Sequence, residues 1–78
     1  MKVTKMIGAE VTFLESENKV TDEYVIKITG SSFDGAGTVS ATSYVNGVET
    51  GRFELTEDEV ARIVKSRTSD EAFAVLEK

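Results

Sequence analysis

Polar and apolar residues alternate along two stretches in the N-terminal half of the chain. In residues 3–15 the odd positions are mostly apolar and often β-branched, as at Ile7 and Val11. Residues 22–29 alternate in the same way. A period of two with β-branched residues is typical of a half-buried strand. We therefore expect two strands here, joined by a polar turn at residues 16–19.

The dipeptide Asn46–Gly47 separates two further alternating stretches, residues 38–45 and 48–55. Asn-Gly between alternating stretches is the strongest short signal for a β-hairpin. The glycine-rich segment 30–37 precedes this hairpin, and its many turn-forming residues indicate a loop. The pattern therefore predicts a third and a fourth strand after a long connection.

The register of the hairpin depends on which side chains each alternative places on one face. A two-residue loop pairs Val45 with Val48 and leaves both faces mixed. A three-residue loop with a bulge pairs Tyr44 with Val48 and Val39 with Phe53. The apolar face would then consist of Val39, Ala41, Phe53 and Leu55. The polar face would consist of Thr38, Ser40, Thr42, Tyr44, Val48, Thr50, Arg52 and Glu54. A one-residue slip moves every side chain of a strand to the other face. Because only the three-residue loop separates the apolar from the polar side chains, we predict the bulged three-residue loop.

Helical spacing replaces the alternation at the C-terminal end. Thr56 and Glu59 have the spacing of a capping box, and Ser69 is the expected N-cap of a second short helix. The predicted fold class is α+β: a four-stranded antiparallel meander with two short C-terminal helices packed on one face, in a single domain over residues 1–78. The expected core is Ile7, Val11, Phe13, Ile26, Ile28, Val39, Phe53, Leu55, Val60, Ile63, Val64, Phe73 and Leu76.

The amino-acid composition argues against disulfides, zinc sites and histidine-based catalysis. The 78 residues include no Cys and no His, so disulfides and the usual zinc ligands are missing. Histidine is also the side chain most used for acid–base catalysis near neutral pH. The acidic residues 57–59 lie at the start of a predicted helix, so helix capping explains them better than calcium binding does. We expect a protein that is not an enzyme and that has no cofactor and no metal site.

The sequence predicts neither a secretory signal nor a membrane span. The lysines near the N-terminus are not followed by the apolar run of a signal peptide. The longest uninterrupted apolar run is residues 72–76, whereas a spanning helix needs about 20 such residues. We therefore expect a cytoplasmic protein without a membrane partner.

The formal net charge of −5 is concentrated in the middle of the chain. Residues 20–61 hold eight carboxylates against two cations, Lys27 and Arg52. Nucleic-acid phosphates bind clusters of Lys and Arg, so direct binding to nucleic acid is not expected. An acidic segment suits a partner with a basic surface, although an acidic surface also serves solubility.

Two features are candidates for partner binding. The polar hairpin face presents Tyr44, Arg52 and Glu54, with Glu49 nearby, and Tyr and Arg are enriched at interfaces. An antiparallel sheet with one solvated face explains the same pattern without a partner. Phe33, in the loop, either packs on the core or anchors a partner. The candidate partner-binding residues are Phe33, Tyr44, Glu49, Arg52 and Glu54.

Residues 44–60 combine a strand, Val-Asn-Gly, a second strand and a capped acidic helix. This segment resembles part of one class of anti-CRISPR proteins, which are small phage-encoded inhibitors. The resemblance implies a protein that blocks a nucleic-acid-binding effector without catalysis. It carries no functional residue over to this chain.

Two hypotheses follow. In the first, the chain is a non-catalytic protein that binds a protein or ribonucleoprotein with a basic surface. Within it, we favour a phage-encoded inhibitor of a CRISPR-type defence complex, acting in the host cytoplasm. In the alternative, the chain is a small structural or assembly protein that forms a homo-oligomer, such as a homodimer, through its sheet.

Overall fold

The computed structural model describes residues 10–30, 35 and 37–77, and within them it contains one antiparallel sheet and two helices. The strands lie side by side in chain order, which is a meander. The fold class predicted from the sequence is confirmed. The elements are β1 (Glu10–Glu17), β2 (Val20–Ile28), β3 (Thr38–Val45), β4 (Val48–Thr56), α1 (Glu57–Lys65) and α2 (Ser69–Leu76). The predicted strand segment 3–9, with Ile7, lies outside the described residues.

The turn between β1 and β2 is shorter than the sequence predicted. It contains only Asn18 and Lys19, whose φ angles are 52° and 67°. Positive φ at both central residues is the geometry of a tight two-residue hairpin, whose twist matches that of the strands. Ser16 was predicted in the turn, but it pairs with Thr21 across the strands, and their hydroxyls lie 2.8 Å apart.

The predicted register of the β3–β4 hairpin is wrong. The turn is a two-residue loop that pairs Val45 with Val48, and an irregularity follows between Ser43 and Tyr44. Tyr44 pairs with Glu49 and Ser43 with Gly51, so Thr50 is an extra residue in β4.

Relative to a regular two-residue hairpin, the predicted register moves β4 by one residue in one direction, and the observed bulge moves it by one residue in the other. Both shifts keep the same apolar side chains on one face but pair them with different residues of the opposite strand. Val39 therefore pairs with Leu55, not Phe53. The placement of Val48 and Thr50 on the polar face was also wrong, because Val48 lies opposite Val45 and Thr50 occupies the bulge.

The core lies between the sheet and the two helices. Its buried apolar members are Ile26, Ile28, Val39, Ala41, Leu55, Val60, Ile63, Ala72 and Leu76. Val11, Phe13, Phe53 and Phe73 pack against this cluster but are only partly buried. Ala41 and Ala72 are buried in this core but were absent from the predicted core, although Ala41 was predicted on the apolar face of the hairpin.

Val64 was predicted in the core but is 48% exposed. The predicted capping box is confirmed: the Glu59 carboxylate accepts a hydrogen bond from the Thr56 N–H, and the Thr56 hydroxyl accepts one from the Glu59 N–H. Glu59 is buried together with Val60 and Ile63. At roughly 100° per residue, the centre of that inward face lies about a quarter turn from Val64. The face that α1 packs inward therefore leaves Val64 towards solvent.

The start of α2 is tied to β1. The N-cap is Thr68, not Ser69 as predicted, and the Thr68 hydroxyl accepts from the Glu71 N–H. Ser69 is buried in the first turn, where its N–H and hydroxyl donate to the Glu15 carboxylate at 2.8 and 2.7 Å. Hydrogen bonds from the Ser69 backbone and side chain hold the pKa of Glu15 below its ordinary value of 4.5.

This lowered pKa predicts a pH-dependent effect of Glu15→Gln. The carboxylate stabilises the folded state above the ordinary pKa of Glu, and this contribution is lost as the pH falls through the lower folded pKa. The stability difference between wild type and Glu15→Gln should therefore be largest near pH 7 and shrink towards pH 3. Urea unfolding at a series of pH values measures it.

Glu17→Gln is the matched control for Glu15→Gln, because it removes a carboxylate from an exposed position of the same strand. A stability difference for Glu15→Gln that stays constant from pH 7 to pH 3 would contradict the role assigned to the Glu15 carboxylate.

In the part of the chain that the structure describes, no helix is both long and apolar enough to cross a membrane.

Candidate binding face

The two faces of the sheet differ in what covers them. The helices cover one face, and we call the other the open face. On β3 and β4 the open face carries polar and charged side chains. They are Ser40, Thr42, Tyr44, Glu49, Arg52 and Glu54. These residues surround a shallow depression of about 400 Å³, to which Thr29 of the adjoining connection also contributes.

The bulge at Thr50 brings Glu49 and Arg52 together. Residues three apart in a regular strand point to opposite faces, but the extra residue returns Arg52 to the face of Glu49. The Arg52 Nε lies 3.0 Å from the Glu49 Oε2, and the side chains are 78% and 43% exposed. Exposed ion pairs contribute about 0–1 kcal/mol to stability. The fold therefore gains little from this pair, which leaves both groups available to a partner.

Small residues build the bulge on the helix side of the sheet. The Thr50 and Ser43 hydroxyls lie 2.7 Å apart. Gly51 is opposite Ser43, and the ring of Phe53 covers it so closely that a Cβ on Gly51 would lie 2.7 Å from the Phe53 Cζ. The bulge thus depends on a hydroxyl pair and on a residue without a side chain.

Glu54 is held at the other end of the depression. Its carboxylate accepts hydrogen bonds from the Ser40 hydroxyl at 2.8 Å and from the Thr38 hydroxyl at 3.3 Å. These contacts orient the carboxylate but leave its charge on the exposed surface. The depression therefore has an oriented carboxylate at one end and the Arg52–Glu49 pair beside Tyr44 at the other.

The open face has more negative than positive groups. Strand pairing places Glu10, Glu23, Glu49 and Glu54 on it, against Lys27 and Arg52. The excess of carboxylates suits a partner surface with Lys or Arg side chains.

The structure brings four of the five predicted partner-binding residues to one surface. Tyr44, Glu49, Arg52 and Glu54 lie on the open face, whereas Phe33 lies outside the described residues. The contributions of Thr29 and Lys27 to this surface were not predicted from the sequence. The bulge at Thr50 was not predicted either, and a glycine inside a strand, here Gly51, was the available signal for it.

The surface offers hydrogen-bonding and charged groups for recognition. Among the described residues, no group of three or more His, Cys, Asp or Glu side chains is placed to hold a metal ion. Tyr44 presents a phenol and a ring, Arg52 a planar cation, and the two glutamates fixed acceptors. Such a set can bind the side chains of another macromolecule.

The edge strands bear on self-association. Within the described residues β1 and β4 are the outer strands of the sheet. The first carries Glu10, Glu15 and Glu17, and the second carries the bulge and charged side chains. Charges and bulges at a sheet edge oppose pairing with another strand. These features weigh against the alternative of a homo-oligomer formed edge to edge.

No protein-family model, no curated protein and no solved structure matches this chain.

Proposed function

We propose that the chain is a non-catalytic protein that binds a macromolecular partner through the open face of its sheet. The observation that carries this proposal is the bulge at Thr50, which places Arg52 beside Glu49 and next to Tyr44. Bulges in sheets commonly re-aim side chains next to functional sites. The pair that this bulge creates adds little to stability, so recognition is the better explanation for it.

The composition of the open face supports a protein or ribonucleoprotein partner with a basic surface. Tyr and Arg are the residue types that dominate binding hot spots. The surrounding carboxylates would attract Lys and Arg side chains of the partner and speed association. Binding through such charges weakens as salt is added, because exposed charges are screened.

The likeness of residues 44–60 to a segment of anti-CRISPR proteins names the first partner class to test. Within the proposal, the partner would be a nucleic-acid-binding effector of a CRISPR-type defence complex. Titrating the chain into a target-cleavage reaction of such an effector measures inhibition directly. The wider proposal of a binding face does not depend on that outcome.

The test of the binding face uses two single variants, Tyr44→Ala and Arg52→Ala. Partners are captured with the immobilised chain, identified, purified and titrated against each variant by calorimetry. Each variant should raise the dissociation constant about 30-fold, since truncating a hot-spot residue costs about 2 kcal/mol.

Arg62→Ala is the matched control, because Arg62 is an exposed arginine on α1, in the layer away from the open face. It should leave the dissociation constant within about twofold of wild type. The proposal fails if Tyr44→Ala and Arg52→Ala, folded by circular dichroism, bind as tightly as wild type, or if Arg62→Ala weakens binding as much as they do.

A further inference from the structure

A second concave surface lies on the helix side of the sheet, between the C-terminal half of α2 and the β3–β4 hairpin. It has a volume of about 300 Å³, and we call it the helix-side groove. Its lining residues come from both layers. They are Ser43, Val45, Thr50, Phe53, Phe73, Leu76 and Glu77.

The floor of the helix-side groove is apolar. Four of its residues are hydrophobic, and the two hydroxyl residues, Ser43 and Thr50, bond to each other at 2.7 Å. Their polar groups are therefore satisfied without a ligand. Val48 extends the apolar surface, since it lies directly opposite Val45 and is 66% exposed. A valine this exposed beside an apolar groove adds to the surface that a partner would bury.

Carboxylates lie around this apolar floor. Glu77 lines the groove itself. Phe73 contacts the ring of Tyr24 edge to face, with ring centres 5.9 Å apart. Burial raises the pKa of Tyr24, and the negative charges of Asp22, Glu15 and Asp70 raise it further. Tyr24, which contacts the groove residue Phe73, therefore lies in a negative electrostatic field.

We propose that the helix-side groove docks a basic amphipathic segment of another protein. A leucine-like side chain of the segment would enter between Phe53, Phe73 and Leu76, and its Lys or Arg side chains would face Glu77 and Asp70. An amphipathic helix laid into a hydrophobic groove is a common mode of peptide recognition. Charge complementarity favours this occupant over a second copy, because the chain has a net charge of −5.

This inference goes beyond the open-face proposal, because the groove lies on the opposite side of the sheet. Phe53 lines both surfaces, but Arg52 lines only the open-face depression, so a variant at Arg52 separates the two. Arg52→Ala, which alters the open face, should not change binding to the helix-side groove.

The experiment measures the fluorescence anisotropy of a labelled 14-residue amphipathic helix built from leucine and lysine. Val48→Lys should weaken its binding about tenfold, because the substitution removes apolar surface and places a cation beside the groove. Leu14→Lys is the matched control: it adds the same charge at a position that is 68% exposed, on the open face. It should change binding by no more than about twofold. Because both sites are exposed, both variants should fold, and thermal melts check this.

Three outcomes would overturn the proposal. Equal weakening by Val48→Lys and Leu14→Lys would show non-specific attraction of a basic peptide to an acidic protein. Equal binding of a matched peptide of leucine and glutamate would contradict the role of the carboxylates. Self-association that Val48→Lys abolishes, detected by sedimentation, would show that a second copy covers the groove.

Discussion

Replacing Ile63 with alanine should lower the free energy of unfolding by about 2–5 kcal/mol, the usual cost of truncating a fully buried isoleucine. Ile63 is fully buried between α1 and the sheet. The loss is large for this chain, because domains have only about 0.05–0.15 kcal/mol of stability per residue. Ile63→Ala should therefore populate the unfolded state strongly.

The adjacent substitution, Val64→Ala, is the matched control. Val64 is about half exposed, and alanine is the better helix former. We expect a change within about 0.5 kcal/mol, in either direction. Urea unfolding followed by circular dichroism measures both variants under the same conditions. Similar losses at the two positions would contradict the orientation of α1 on the sheet, with Ile63 inward and Val64 outward.

Replacing Gly51 with alanine should destabilise the chain by about 1–3 kcal/mol, as overpacking does in a well-packed site. The new Cβ would lie 2.7 Å from the Phe53 Cζ, so the ring or the bulged strand must move. Either movement disturbs the segment that sets Arg52 beside Glu49. A weaker affinity at the open face is therefore expected together with the loss of stability.

Two comparisons isolate the cause of the Gly51→Ala effect. Gly35→Ala is a matched glycine replacement, because its Cβ would meet nothing within 4 Å. It should leave stability unchanged or slightly higher, since alanine restricts the unfolded chain. In a Phe53→Leu background, Gly51→Ala should cost less than in the wild type, because the ring is gone. An equal cost in both backgrounds would exclude the ring as the cause.

The local patterns in the sequence predicted most of the architecture. The alternation of residues, the Asn46–Gly47 turn and the capping box at Thr56 each depend on neighbours in sequence. These patterns placed β3 correctly and ordered all six elements. They also placed Tyr44, Arg52 and Glu54 on the polar face. This placement was correct because the predicted and the observed registers leave these three side chains on the same face.

Features that depend on contacts between layers were not predictable in the same way. The extra residue in β4 is stabilised by a hydroxyl pair and by a ring over Gly51, and neither contact follows from alternation. The bond between Glu15 and Ser69 joins residues 54 positions apart. Sequence spacing carries no information about such a pair.

The sequence by itself determined the fold class, the position of the second hairpin at Asn46–Gly47 and the start of α1, because each follows from backbone preferences and hydrophobic periodicity. Only the tertiary structure decided which residues face each other across β3 and β4, and hence the contact between Arg52 and Glu49. Helix packing also decided that Val64 faces solvent and that α2 is tied to β1. These outcomes depend on how whole layers fit together, which no single segment specifies.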